Sequence, residues 1–144
     1  QPYVTAEQSQ IEGLNVALNL TEEWNKVSTD SDLVTGVLVA STEFIEQNEA
    51  AFEEFLKDYQ TSIEWVNSNT DYANTHAAET AALVEKMGIV SAAVAEKALP
   101  YCNIVCITGA EMKEKLSGYL QVLFDQNPKA VGGAMPGDDF YYGA

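Results

Sequence analysis

The stretch Leu33-Val34-Thr35-Gly36-Val37-Leu38-Val39-Ala40 decides the fold expected of this chain, because it is apolar at both alternating sets of positions. A strand that faces water on one side alternates apolar with polar residues, whereas one covered on both sides does not. The pattern therefore predicts a buried strand inside a parallel sheet with helices on each face. Ser28-Thr29-Asp30-Ser31-Asp32 leads into it as a polar loop. Cys102 to Thr108 carries Ile104, Val105 and Ile107 and reads as a second strand, and Val16, Leu18 and Leu20 alternate as a short third one.

Around these strands the chain is helical. A short helix is expected at Thr5 to Gln10, and another after Thr21, a plausible N-cap with Glu22 and Glu23 favourably placed in the first turn. Thr42 to Gln47 follows the first strand, then Glu49 to about Asn67, where Phe52, Phe55, Leu56, Tyr59, Ile63 and Val66 recur at three- and four-residue spacing. The opposite face of that helix holds Glu53, Glu54, Lys57, Asp58 and Glu64, so it is amphipathic. A helix from Thr70 or Asp71 to Met87 closes at Gly88, and Ser91 caps a short one ending before Pro100. Ala110 to Gln126 places Met112, Leu116, Tyr119, Leu120, Leu123 and Phe124 on one face and stops at Asn127-Pro128. The glycine-rich tail from Lys129 ends in Asp138-Asp139-Phe140-Tyr141-Tyr142, and three adjacent aromatics predict that it docks on the body.

Composition narrows the function. The 144 residues hold 22 acidic side chains against seven basic ones, all Lys, for a formal charge of -15. With no Arg to grip phosphates in a planar fork, and a surface that repels polyanions, nucleic acid and anionic membranes are excluded as partners. The apolar fraction of 47% is that of a folding chain rather than a disordered acidic tail. The apolar run Val37 to Ala40 is far too short to span a bilayer.

Chemistry-bearing residues are few. His76 has Glu79 three residues on but no second His to complete a metal set, so no metal site is expected. Asp30-Ser31-Asp32 lacks the third acceptor and glycine of a calcium loop. Gly132-Gly133-Ala134-Met135-Pro136-Gly137 has neither the strand nor the Lys of a phosphate cradle. Cys102 and Cys106 on a strand would stand about 13 Å apart, beyond disulfide reach, and are expected as free, partly buried thiols. The acidic pairs Glu22-Glu23, Glu53-Glu54 and Asp138-Asp139 read as solvated faces. No catalytic residue and no cofactor follow from this inventory, and the chain is expected not to be an enzyme.

The order of several passages carries more information. Gln1-Pro2-Tyr3-Val4-Thr5, Leu18-Asn19-Leu20-Thr21-Glu22-Glu23-Trp24, and the stretch Leu33 to Ala40 running into Ser41-Thr42-Glu43-Phe44-Ile45-Glu46-Gln47-Asn48 stand in one order. They are followed by Phe55-Leu56-Lys57-Asp58-Tyr59, Ile63-Glu64-Trp65-Val66-Asn67, Cys102-Asn103-Ile104-Val105, Gly118-Tyr119-Leu120, Gln126-Asn127-Pro128-Lys129 and Gly132-Gly133 with Asp138-Asp139-Phe140-Tyr141-Tyr142. In that order they resemble the C-terminal half of bacterial ABC-transporter substrate-binding proteins of the nitrate, sulfonate, taurine and thiamine-precursor branch. Gln1 departs from the Glu, and Glu49 from the Pro, that the family often has there.

The resemblance implies a helix-rich α/β fold, a partial periplasmic-binding-protein-like lobe with a few buried strands covered by amphipathic helices. Residues 1–32 would end the second lobe and begin the return crossover, 33–128 would complete the first lobe, and 129–144 would be the docked tail. The implied function is solute binding for an ABC importer, by a fragment that binds poorly alone, with Gln1 and Pro2 at the cleft rim and Gly36 at the hinge. It also implies an extracytoplasmic parent, periplasmic or lipid-anchored, with a small solute and an ABC permease as partners. Exposed apolar strand edges predict a homo-oligomer through the surface of the missing lobe. The alternative is an acidic helical interaction module without a small-molecule ligand. A third reading, an enzyme similar to thiamine-pyrimidine synthases of the same fold, rests on His76 alone.

Overall fold

A computed structural model describes residues 1–68 and 77–144. In chain order the helices are α1 (Tyr3–Gln10), α2 (Leu20–Val27), α3 (Thr42–Gln47), α4 (Glu49–Ser68), α5 (Ala77–Lys86), α6 (Ala92–Ala98) and α7 (Gly109–Gln126). Short 3-10 turns occupy Leu99–Tyr101, Pro128–Val131 and Asp138–Phe140. The chain divides into two units, the first made of Gln1–Val16 and Ser41–Cys106, the second of Ala17–Ala40 and Ile107–Ala144.

The expected α/β class is overturned: 64% of the described residues are helical and none is in a strand. A strand exists only as part of a ladder, whose neighbour must lie about 4.8 Å away and exchange backbone hydrogen bonds. Among the described residues, Leu33 to Ala40 makes no such bond, and Val37, Leu38 and Val39 are 58%, 54% and 73% exposed. Cys102 to Thr108 fails for a local reason as well. Cys102 is right-handed helical, Asn103 turns left-handed at φ 50°, and the Ile104 carbonyl accepts from the Asn67 side chain at 2.8 Å. Val16 and Leu18 lie in coil, and Leu20 begins α2.

The helices follow local chemistry closely. The Ser41 hydroxyl caps α3 by accepting from the Phe44 N–H at 3.2 Å, satisfying a donor that the first turn leaves orphaned. Asn19 rather than Thr21 caps α2, its side-chain oxygen accepting from the Thr21 N–H at 3.1 Å. Gly88 takes the left-handed conformation expected after a helix, at φ 72°. Ser91 stands at the N-cap of α6 without a side-chain cap bond. The start expected for the helix at Thr70 or Asp71 lies outside the described residues.

The first unit is held by small residues. Ala77, Thr80 and Ala81 of α5 and Ala95 and Ala98 of α6 are buried, and these two helices pack together. Alanines let helix backbones approach closely, but each buries little apolar area. From α4 only Phe52 and Ile63 are buried, while Phe55 and Tyr59 stack with ring centres 5.8 Å apart at the surface. The amphipathic face of α4 is therefore only partly covered. In the second unit Tyr141 is the one buried hydrophobic residue described, and the apolar face of α7 is half-buried along its length.

Candidate functional site

Of the residues expected at a cleft, Gln1 and Pro2 lie in the first unit and Gly36 in the second. Gln1 accepts a hydrogen bond at its Oε1 from the Thr5 hydroxyl at 2.6 Å, and Pro2 stands at the N-cap of α1 with its carbonyl accepting from the Ala6 N–H. These contacts start a helix and leave Gln1 and Tyr3 exposed. No described polar cluster gathers about them. Gly36 lines an open apolar groove of about 180 Å³ with Val34, Thr35, Val37, Leu116, Tyr119 and Leu120. A Cβ at Gly36 would meet nothing within 4 Å, so this glycine is not imposed by crowding.

An arrangement of paired side chains in the second unit lies beside that groove, where the polar loop crosses α7. The Trp24 indole Nε1 donates to the Ser31 carbonyl at 2.9 Å and to its hydroxyl at 3.1 Å, and the hydroxyls of Ser28 and Ser31 are 2.6 Å apart. The Trp24 ring packs against Tyr119 at 5.4 Å. Lys115 Nζ donates to Asp32 Oδ2 at 2.7 Å, which ties the loop to the helix again. At the crossing itself stands Gly118: a Cβ there would lie 2.7 Å from the Asp30 carbonyl oxygen. Sequence reading passed over Gly118, although a glycine inside an amphipathic helix is itself a signal of close backbone approach.

Chemically this crossing is structural. Its polar groups are paired with one another, and none is a free base or nucleophile aimed at a cavity. The hydrogen bond that the Lys115 ammonium donates to Asp32, and then the Asp32 charge itself, raise its pKa; slight desolvation opposes them, and Glu111 and Glu114 add smaller pushes upward. Burial raises the Tyr141 hydroxyl in the same direction, Lys113 opposes it and Asp138 adds to it.

Both shifts have one consequence for stability. Folded-state Lys115 and Tyr141 hold protons that the unfolded chain has begun to release above about pH 10, so stability must fall as pH rises there. The expected result is an alkaline loosening of the second unit, with the Lys115 contribution intact below its unfolded pKa and lost above its folded one. Trp24 fluorescence followed from pH 8 to 12 in a Trp65→Phe background checks this; a flat profile to pH 12 would contradict it.

Cys102 and Cys106 are free and half-buried. The Cys102 thiol donates to the Ala98 carbonyl at 3.3 Å, and burial pushes its pKa up, against a smaller pull down from the N-terminal ammonium. His76 lies outside the described residues. Among the described residues no three His, Cys, Asp or Glu side chains converge as a metal-binding group. No described helix is long and apolar enough to cross a membrane. Comparison with protein-family models, with curated proteins and with solved structures found no match.

Proposed function

We propose that this chain is part of a solute-binding protein that delivers a small molecule to an ABC permease outside the cytoplasm. Support comes first from the ordered series of passages, Gln1-Pro2-Tyr3 through Gly132-Gly133, that resembles that family. The observation that carries the proposal further is the state of Leu33 to Ala40. This stretch is apolar, without backbone partners among the described residues and widely exposed at Val37, Leu38 and Val39. Exposed apolar stretches of this kind mark surfaces that another piece of protein covers. In a two-lobed binder Gly36 stands where the chain returns between lobes, and the covering piece is the lobe that also completes the ligand cleft. The two grooves seen among the described residues are open and apolar and gather no convergent polar groups, which supports weak solute binding by the chain alone.

Calorimetric titration with a panel of sulfonates, nitrate and thiamine-precursor pyrimidines tests this. Binding is expected for the chain joined to the N-terminal half of a binding protein of this kind, and at least about a hundredfold weaker for the chain alone. Equal affinity in the two would refute a shared cleft.

The absence of any strand among the described residues favours a second reading, an acidic interaction module that docks a protein partner and holds no solute. The same titration separates the two, since the module binds none of the panel in either form.

A further inference from the structure

Helix α4 turns one side inward and leaves the side next to it exposed. Phe52 and Ile63 are buried, whereas Phe55 and Tyr59, about one helical turn apart, are 45% and 39% exposed. Their rings stack with centres 5.8 Å apart and planes inclined at 24°, which makes one continuous aromatic surface. Glu54 and Asp58 each stand one residue before a ring, so a column of two carboxylates runs beside the column of two rings. Both are exposed, and among the described residues neither has an ion pair. Over its 20 residues α4 carries five carboxylates against the single cation Lys57.

Charge selects what fits this side. A second copy brings -15 and no Arg, and nucleic acid and anionic lipid are repelled by the same charge. A cationic segment gains twice, because its basic groups pair with Glu54 and Asp58 and also lie over the exposed rings. Exposed ion pairs alone hold little, so the aromatic surface is what anchors the contact. Both columns repeat at one helical turn. A partner whose own basic and apolar residues repeat at that spacing, an amphipathic helix, meets them in register.

We propose that the side of α4 bearing Phe55 and Tyr59 docks a basic amphipathic helix of a protein partner, its apolar side chains against the two rings and its Lys or Arg side chains against Glu54 and Asp58. The site gives the acidic-module reading its partner and rests on that reading. It needs one helix of the first unit and is independent of solute binding.

The test titrates the full 144-residue chain into a fluorescent helical peptide as long as α4, with Leu on one side and Arg on the other, and follows anisotropy. A peptide with Glu in place of Arg is the counterpart. Saturable binding of the Arg peptide is expected, at least about tenfold tighter than that of the Glu peptide. Phe55→Ala with Tyr59→Ala should weaken it at least about tenfold, and Glu54→Gln with Asp58→Asn at least about fivefold. Glu12→Gln with Glu96→Gln removes as much charge outside α4 and should change binding less than about twofold. Circular dichroism checks that helix content is kept, and the carboxylate variant, which preserves side-chain shape, tests the site should the ring variant lose helix. Binding of the Arg peptide that the α4 variants leave undiminished, or that the Glu12 and Glu96 pair weakens as much, overturns the site and leaves the acidic module standing. No binding of the Arg peptide overturns both.

Discussion

Gly118→Ala is expected to destabilise the second unit by about 1–3 kcal/mol, the range for forcing a methyl group into occupied space. The sign is the informative part. In an exposed helix interior the same change stabilises by up to about 1 kcal/mol, because alanine loses less backbone freedom than glycine. Here the added Cβ meets the Asp30 carbonyl oxygen at 2.7 Å and the Ser31 Cβ at 3.2 Å, and neither is the end of a flexible side chain. The loop must move away, and the bonds from Trp24 to Ser31 and from Lys115 to Asp32 move with it. Denaturant unfolding followed by Trp24 fluorescence in the Trp65→Phe background measures this directly. Gly36→Ala, which meets nothing within 4 Å, serves as the control and should cost nothing. Equal or greater stability in Gly118→Ala would mean that the loop does not cross the helix there.

The second large effect concerns association. The chain is expected to self-associate through Leu33 to Ala40, and Val37→Lys with Val39→Lys together should weaken that association at least about a hundredfold. Burying two unpaired ammonium groups in an apolar contact is costly enough to do so. The choice of lysine makes the result unambiguous. The protein carries -15, so added positive charge reduces general repulsion between copies and would strengthen any nonspecific association. Met87→Lys, at a 75% exposed residue of the first unit, adds a charge away from the stretch and should leave the association unchanged. Sedimentation across a concentration series reads all three; a strictly monomeric parent chain, or an equal effect from Met87→Lys, would contradict the assignment.

What was legible in the sequence was what is local. Three- and four-residue spacing located α3, α4 and α7 to within a residue or so, because a helix satisfies its backbone within its own segment. The aromatic cluster of the tail is expected to bury its rings, and of the three Tyr141 is buried while Phe140 and Tyr142 stay 54% and 38% exposed. The strands were not legible in the same sense. Apolar patterning describes what a segment can bury, whereas a strand also needs a partner elsewhere, and Leu33 to Ala40 finds none among the described residues. At Cys102-Asn103 the local conformation itself turns away from a strand. Of the expected site, Gly36 does line a groove, but through crowding-free space rather than as a forced glycine. Gly118 carries the constraint instead; a glycine inside an amphipathic helix signals a close approach, but periodicity does not say which segment crosses there.

The central proposal is that this chain belongs to a solute-binding body in which another piece of protein covers Leu33 to Ala40. Amide hydrogen exchange over those residues tests it most directly, measured at a dilution where the chain is monomeric and again with the chain joined to the N-terminal half of a binding protein of the proposed kind. The expected result is rapid exchange in the chain alone and exchange slowed at least about a hundredfold in the joined form. Equally rapid exchange in both would contradict the claim.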